Sequence, residues 1–300
     1  MMRPVNFVSA SLIASVLATA IALPSWAGDL FRSSNPRPIG AETQKSFELL
    51  FKEGNFPAAV KQIDLALKSE ADEPLIQALR ASVAFIREDY LDMKVYGDKT
   101  RAQAQKLLST DKLRGHIYLA ASNLIEAGYV VKTQGLTSAP TALPLVQAAL
   151  DEIKTAQDMD PQDPELNLVK GYMDMLIASV LPLSDLENAL TSLKQYAAPD
   201  YVKWRGIALA YRDARKTDLA LEAVNQALVA APNNPELYYL KGQILWLKGG
   251  NSRDDARQNY IKALSKAKQL PPPLVGVIST ECRNLTNEIT GRSDSCPMQN

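Results

Sequence analysis

The side chains that most often carry chemistry are scarce in this chain: one His, His116, and two Cys, Cys282 and Cys296, among 300 residues. A lone imidazole has no second His or Cys with which to hold a metal, so His116 reads as a packed or solvated helix residue. Asp158, Asp160 and Asp163 have the look of a calcium loop. A loop beginning at Asp158 would need an oxygen ligand at 162, Gly at 163 and Glu at 169, and the sequence has Gln162, Asp163 and Val169. There is no phosphate loop, nucleophile elbow or metalloprotease helix. No catalytic, cofactor-binding or metal-binding residue is therefore expected. Lys+Arg and Asp+Glu balance at 33 each, with a pI near 6.6, which removes the basic excess of a nucleic-acid binder.

The N-terminus carries an address. Met1, Met2 and Arg3 give a positive start, Val5 to Leu23 is uncharged and apolar, and Ser25 and Ala27 place small residues at the −3 and −1 positions of a cleavage site. Pro24 argues for cleavage between Ala27 and Gly28 over a permanent span. Residues 1–27 are read as a signal peptide, which makes the expected compartment the periplasm, or the thylakoid lumen if the host is a cyanobacterium. No other apolar run reaches membrane-spanning length. In such a compartment thiols oxidise, and Cys282 and Cys296 are the only pair, so one disulfide is expected.

From about residue 42 the chain reads as amphipathic helices joined by short turns, with no strand-like alternation. Residues 28–41, containing Pro36 and Pro38, are expected to be a flexible lead. Residues 42–270 form the helical array, and 271–300 form a proline break followed by a disulfide-containing tail that folds back or hangs free. PQDPELNLVKG from Pro161 to Gly171 lines up with PNNPELYYLKG from Pro232 to Gly242, at an offset of 71, close to two units of about 34 residues. Between them, Trp204, Ile207, Ala208 and Tyr211 share one face of a first helix. Ala220, Val224 and Ala227 share one face of a second, and Pro232 ends it. Asn234-Pro235 supplies a cap and first-turn Pro for the next helix. A bulged turn is expected at Gly249-Gly250, a break at Leu181 to Leu183 with a capping box from Ser184 to Glu187, and a loop from Gly135 to Pro144 between two long helices. Residues 74–134 are helical by pattern but match the repeat poorly.

The eight positions from Trp204 to Pro232 resemble the signature of the tetratricopeptide repeat. The resemblance implies an all-α superhelix of about six helix pairs, clearest over 164–198, 201–234 and 235–268. The signal peptide, array and Cys tail together resemble an exported tetratricopeptide family of cyanobacteria. Ligand-contacting positions of the repeat family map onto Val202, Arg205, Leu209 and Arg212 in one first helix and Glu236, Tyr239, Gln243 and Trp246 in the next. Relatives that bind chaperones use a Lys and Asn clamp on a carboxylate; Leu209 stands at the Asn position, which does not support that specificity. Arg205 and Arg212, seven apart on one face, suit an extended or acidic peptide. The functional expectation is an exported, non-enzymatic scaffold that binds a protein or extended peptide in the envelope. The alternative is an envelope enzyme or small-molecule carrier, with Tyr172, Tyr239 and Trp246 as an aromatic wall.

Overall fold

Prolines and capping side chains decide where the helices begin. The computed structural model describes residues 26–180, 186–292 and 296. Among the described residues the fold is all-α apart from a two-residue antiparallel pairing of β1 (Trp26–Ala27) with β2 (Ile39–Gly40). The helices are α1 (Ala41–Phe47, continuing into a π-turn at Glu48–Lys52), α2 (Phe56–Ser69), α3 (Pro74–Ile86), α4 (Tyr90–Leu107), α5 (Lys112–Gln134), α6 (Ala139–Met159) and α7 (Pro164–Val180). Then follow α8 (Leu186–Tyr196), α9 (Asp200–Asp213), α10 (Thr217–Ala230), α11 (Pro235–Lys248), α12 (Arg253–Leu264) and α13 (Pro272–Thr290).

Three first helices start in the same way. Glu73, Asp163 and Asn234 each accept a backbone N–H of the next turn, and Pro74, Pro164 and Pro235 fill the first helical position, where no N–H is needed. Each start is then stapled to the preceding turn. Gln77, Asn167 and Tyr238, at equivalent positions, donate to the carbonyls of Ala71, Pro161 and Pro232 at 2.7, 2.9 and 2.8 Å. Residues 74–134, which match the repeat pattern poorly, thus begin with the same device.

Helices pair in sequence from α1 with α2 to α11 with α12, giving six pairs, and successive first helices α3, α5, α7, α9 and α11 also adjoin. The architecture is a tetratricopeptide-like helical array. Ile207, Ala208, Tyr211, Ala220, Val224 and Ala227 are all buried in the core, whereas Trp204 is half-buried beneath Lys203 and Pro232 is exposed. At Gly242 a Cβ would lie 2.6 Å from the Tyr260 ring, so glycine lets α11 and α12 close on each other. Gly249 and Gly250 make the expected irregular turn with positive φ.

The array also returns to its own beginning. The π-turn contacts α9, α2 contacts the turn at Ala267–Gln269, Phe47 meets Tyr201, and the Asn234 amide donates to the Phe51 carbonyl at 2.9 Å. Gly54, at φ +63°, lies where a Cβ would fall 2.3 Å from Asn234 Oδ1.

Three sequence expectations are corrected. Residues 28–41 are not a loose lead. Phe31 and Ile39 are buried, and the Asp29 carboxylate accepts N–H bonds from Phe31 and Arg37, folding the segment into a strap against the helices. The proline break does not end the helices: after Pro271 the chain folds back, one of its two expected courses, as α13, whose Ile278, Cys282 and Leu285 are fully buried beside α12, with Cys282 joined to Cys296. The loop from Gly135 is shorter than expected, because α6 starts at Ala139, with Pro140 in its first turn, and carries Pro144 within the helix, where it leaves out one ladder hydrogen bond. The expected break at Leu181 to Leu183, the Ser184 start of the capping box and the signal sequence through Ser25 lie outside the described residues.

Two predictions follow from this packing. Gly54→Ala is expected to lower stability by about 1–2 kcal/mol from the left-handed backbone alone, measured by urea unfolding; an unchanged midpoint would refute the constraint. Glu187 bridges α8, α9 and the turn before α10 by accepting bonds from Lys194, Lys216 and Tyr211, which hold its carboxyl down at about 2, below its ordinary 4.5. A depressed folded-state value stabilises the fold above pH 4.5, and that stability is lost as pH falls toward 2. Glu187→Gln should therefore be less stable than the parent near neutrality, with the gap closing across that acid window in thermal melts at stepped pH.

Candidate functional site

The groove positions expected from the sequence divide into two sets. Val202 is buried, and its carbonyl accepts the Tyr172 hydroxyl at 2.9 Å; Leu209 is half-buried against the core. Arg205 pairs with Glu236 on the next first helix, with Tyr172 nearby, and its side chain is only 21% exposed. Burial opposes its charge, but Glu236 and Tyr172 more than compensate and raise its pKa above the ordinary guanidinium value. The expected solvated or ligand-facing charge at Arg205 is thus a link between repeats.

The second set does come together, and α13 joins it. Arg212 donates to Asp213 at 2.8 Å and to the Gln243 side-chain oxygen at 2.7 Å. The Gln243 amide donates to the Tyr239 hydroxyl at 2.6 Å, and Tyr239 and Tyr260 both donate to Glu281 of α13, at 3.0 and 3.1 Å. Burial first, and the Glu281 carboxylate second, push the Tyr239 phenol upward. The Trp246 indole donates to Glu288 at 3.1 Å. Glu281 and Glu288 therefore cover part of what the sequence suggests is an open groove. The rings that meet are Tyr239, Trp246 and Tyr260, while Tyr172 lies over Gly206, so the imagined aromatic wall is replaced by a different one. Beside it, Arg212, Asp213, Arg215, Gln243, Trp246, Leu247 and Glu281 line a solvent-open concavity of about 520 Å³. Two guanidiniums, two carboxylates, an amide and an indole edge suit a polar, peptide-like segment.

A larger constellation sits at the N-terminal ends of α3, α5 and α7, and no spacing or motif announces it as a unit. Arg114, 3% exposed, donates to Glu73 at 2.8 Å and to Glu165 at 3.0 Å. Tyr118 donates to Glu165 at 2.6 Å. From the strap, Arg37 pairs with Asp111 at 2.9 Å, Asp163 at 3.1 Å and Glu165 at 3.3 Å, and Arg32 pairs with Asp163. Burial lowers the Arg37 pKa, with Glu165 and Asp111 pulling the other way; in Arg114 burial is outweighed by Glu165 and Glu73, and the value rises. Asp163, the third aspartate of the imagined calcium loop, caps α7 and holds two arginines. His116 sits 2.6 Å from Glu152, linking α5 to α6.

Residues 205–271 match the tetratricopeptide repeat family model, from within α9 to the turn before α13. This stretch holds Arg212, Gln243 and Trp246 but neither the strap nor α13. No curated protein sequence matches the chain. Among the described residues, no helix is long and apolar enough to cross a membrane.

The two arginines should separate on mutation. Arg205→Ala is expected to cost about 1–3 kcal/mol, because it leaves Glu236 without its partner in a half-dry contact. Arg212→Ala, whose partner Asp213 is exposed, should cost about 0–1 kcal/mol. Urea midpoints of the two single variants test this, and equal losses would contradict it.

Proposed function

We propose that this protein is an exported, non-enzymatic scaffold that binds another protein, or an extended peptide, through the ledge formed by α9, α11 and α13. The carrying observation is the open concavity at Arg212, Arg215, Gln243 and Trp246, set in the stretch that matches the repeat family. Tetratricopeptide arrays present such surfaces to protein partners, which is the coarse function this architecture supports. A second concavity of about 450 Å³, between the π-turn and the turn after α10, is also open and is lined by Glu48, Lys52, Glu53 and Lys266. Neither has the enclosed apolar character that a carrier or enzyme pocket would call for. Export rests on the leader-like residues 1–27, and the Cys282–Cys296 disulfide fits an oxidising compartment, periplasm or thylakoid lumen. The family resemblance to exported cyanobacterial proteins belongs to the same proposal.

The test has two parts. Protein purified from the host should give an N-terminal sequence beginning at Gly28, and an intact Met1 would overturn the export reading. Arg212→Ala/Trp246→Ala should keep the helical circular dichroism of the parent and lose at least tenfold of its affinity for the partner crosslinked by the parent chain. Undiminished affinity would remove the ledge from the interface.

A further inference from the structure

The array builds a pocket with too much negative charge, and the chain's own strap corrects it. Glu73, Asp111, Asp163 and Glu165 converge from the starts of three first helices, while the helices themselves supply a single guanidinium, Arg114. Backbone caps offset part of this, since Glu73, Asp111 and Asp163 each accept one helix N–H. Glu165 accepts only from side chains, namely Arg37, Arg114 and Tyr118, and is 2% exposed. Carboxylates this deep in the protein are strongly unfavourable without cations beside them. Arg32 and Arg37 supply the two that are missing. They enter from a segment that is held by side chains more than by backbone: Ser33 to Pro36 are exposed, and regular pairing is confined to the two residues of β2. Phe31 and Ile39 flank the arginines and are buried, Phe31 edge-on to Phe47 at 5.6 Å.

We propose that the pocket at the N-terminal ends of α3, α5 and α7 is a recognition site for an extended, arginine-bearing segment, filled in cis by residues 28–40 and able to accept the same chemistry in trans. The recognised pattern is two guanidiniums five residues apart, flanked by an aromatic residue and an aliphatic one. The planar fork of arginine suits this site, because Arg37 reaches three carboxylates at once, which a lysine ammonium does less well. The pocket lies apart from the Arg212 and Trp246 ledge, so the two readings stand or fall separately.

The experiment uses the full chain carrying Arg32→Gln/Arg37→Gln, which weakens the strap's hold and leaves the pocket intact. The probe is a fluorescein-labelled synthetic peptide of residues 28–40, and binding is read by anisotropy. The variant should bind this peptide at least tenfold more tightly than a peptide with Gln at both arginine positions, and at least tenfold more tightly than the unmodified chain does. If the variant has lost helical circular dichroism, the arginine peptide should restore it and the Gln peptide should not. Absence of both binding and recovery overturns the proposal. Equal binding of the two peptides does the same, because it would leave only apolar anchoring by Phe31 and Ile39. Equal binding to the variant and the unmodified chain would place the peptide elsewhere.

Discussion

The ion-paired hub that joins Arg32, Arg37 and Arg114 to four carboxylates is the contact on which the rest of the array depends. It ties the strap to the starts of α3, α5 and α7 at once, so three successive repeats share one set of charges. Such a cluster adds little net stability over well-packed apolar residues, since desolvation offsets the attraction. Its consequence is specificity: a strap or helix start in any other position would leave a buried charge unpaired, at a cost of several kcal/mol. The hub therefore fixes register along an array whose helix-to-helix packing is otherwise repetitive.

From that fixed end, local chemistry propagates the fold. The first helices α3, α5, α7 and α11 start on a capping side chain, three of them with proline beside it, and α3, α7 and α11 are stapled to the turn before them by Gln77, Asn167 and Tyr238. The first pair then meets the fifth through Phe47 and Tyr201 and the sixth through Phe51 and Asn234, and α13 covers the exposed face of the last pair. These closures use up much of the surface that an open superhelix would offer. Strap and α1 take the starts of the first helices, and Glu281 and Glu288 take part of α11. What is left for a partner is the ledge near Arg212 and Trp246, where the side chains are half-exposed and bonded to one another in a network.

The array was legible in the sequence because its rules are local. The caps, the small residues at 208, 220 and 227, and the Asn234-Pro235 start all act within one or two turns, so spacing alone reveals them. The strap was not, because its partners lie far away: Arg37 pairs with Asp111 and Glu165, and ion pairs at such separations leave no periodic trace. Three apolar residues, Leu30, Phe31 and Ile39, were the available hint in a largely polar, proline-containing stretch. The α13 helix was hidden by Pro271 to Pro273, which read as a stop although proline is equally at home in a first helical turn. Leu274, Ile278, Cys282 and Leu285 show the helical spacing in retrospect. At the ledge, Arg212, Gln243 and Trp246, picked out by their repeat positions, lie together beside one concavity. Arg205 was misassigned because its neighbour Glu236, itself a groove position in the next repeat, neutralises it across the helix pair.

Hydrogen exchange on the intact chain tests the hub most directly. Arg37→Gln removes one arginine and leaves every helix sequence unchanged. If the hub fixes the register of the array, amides of the strap and of the first turns of α3, α5 and α7 should lose protection together, while those of α11, α12 and α13 exchange as in the parent. Parent-like protection at those three helix starts would contradict the account and reduce the hub to a set of independent pairs.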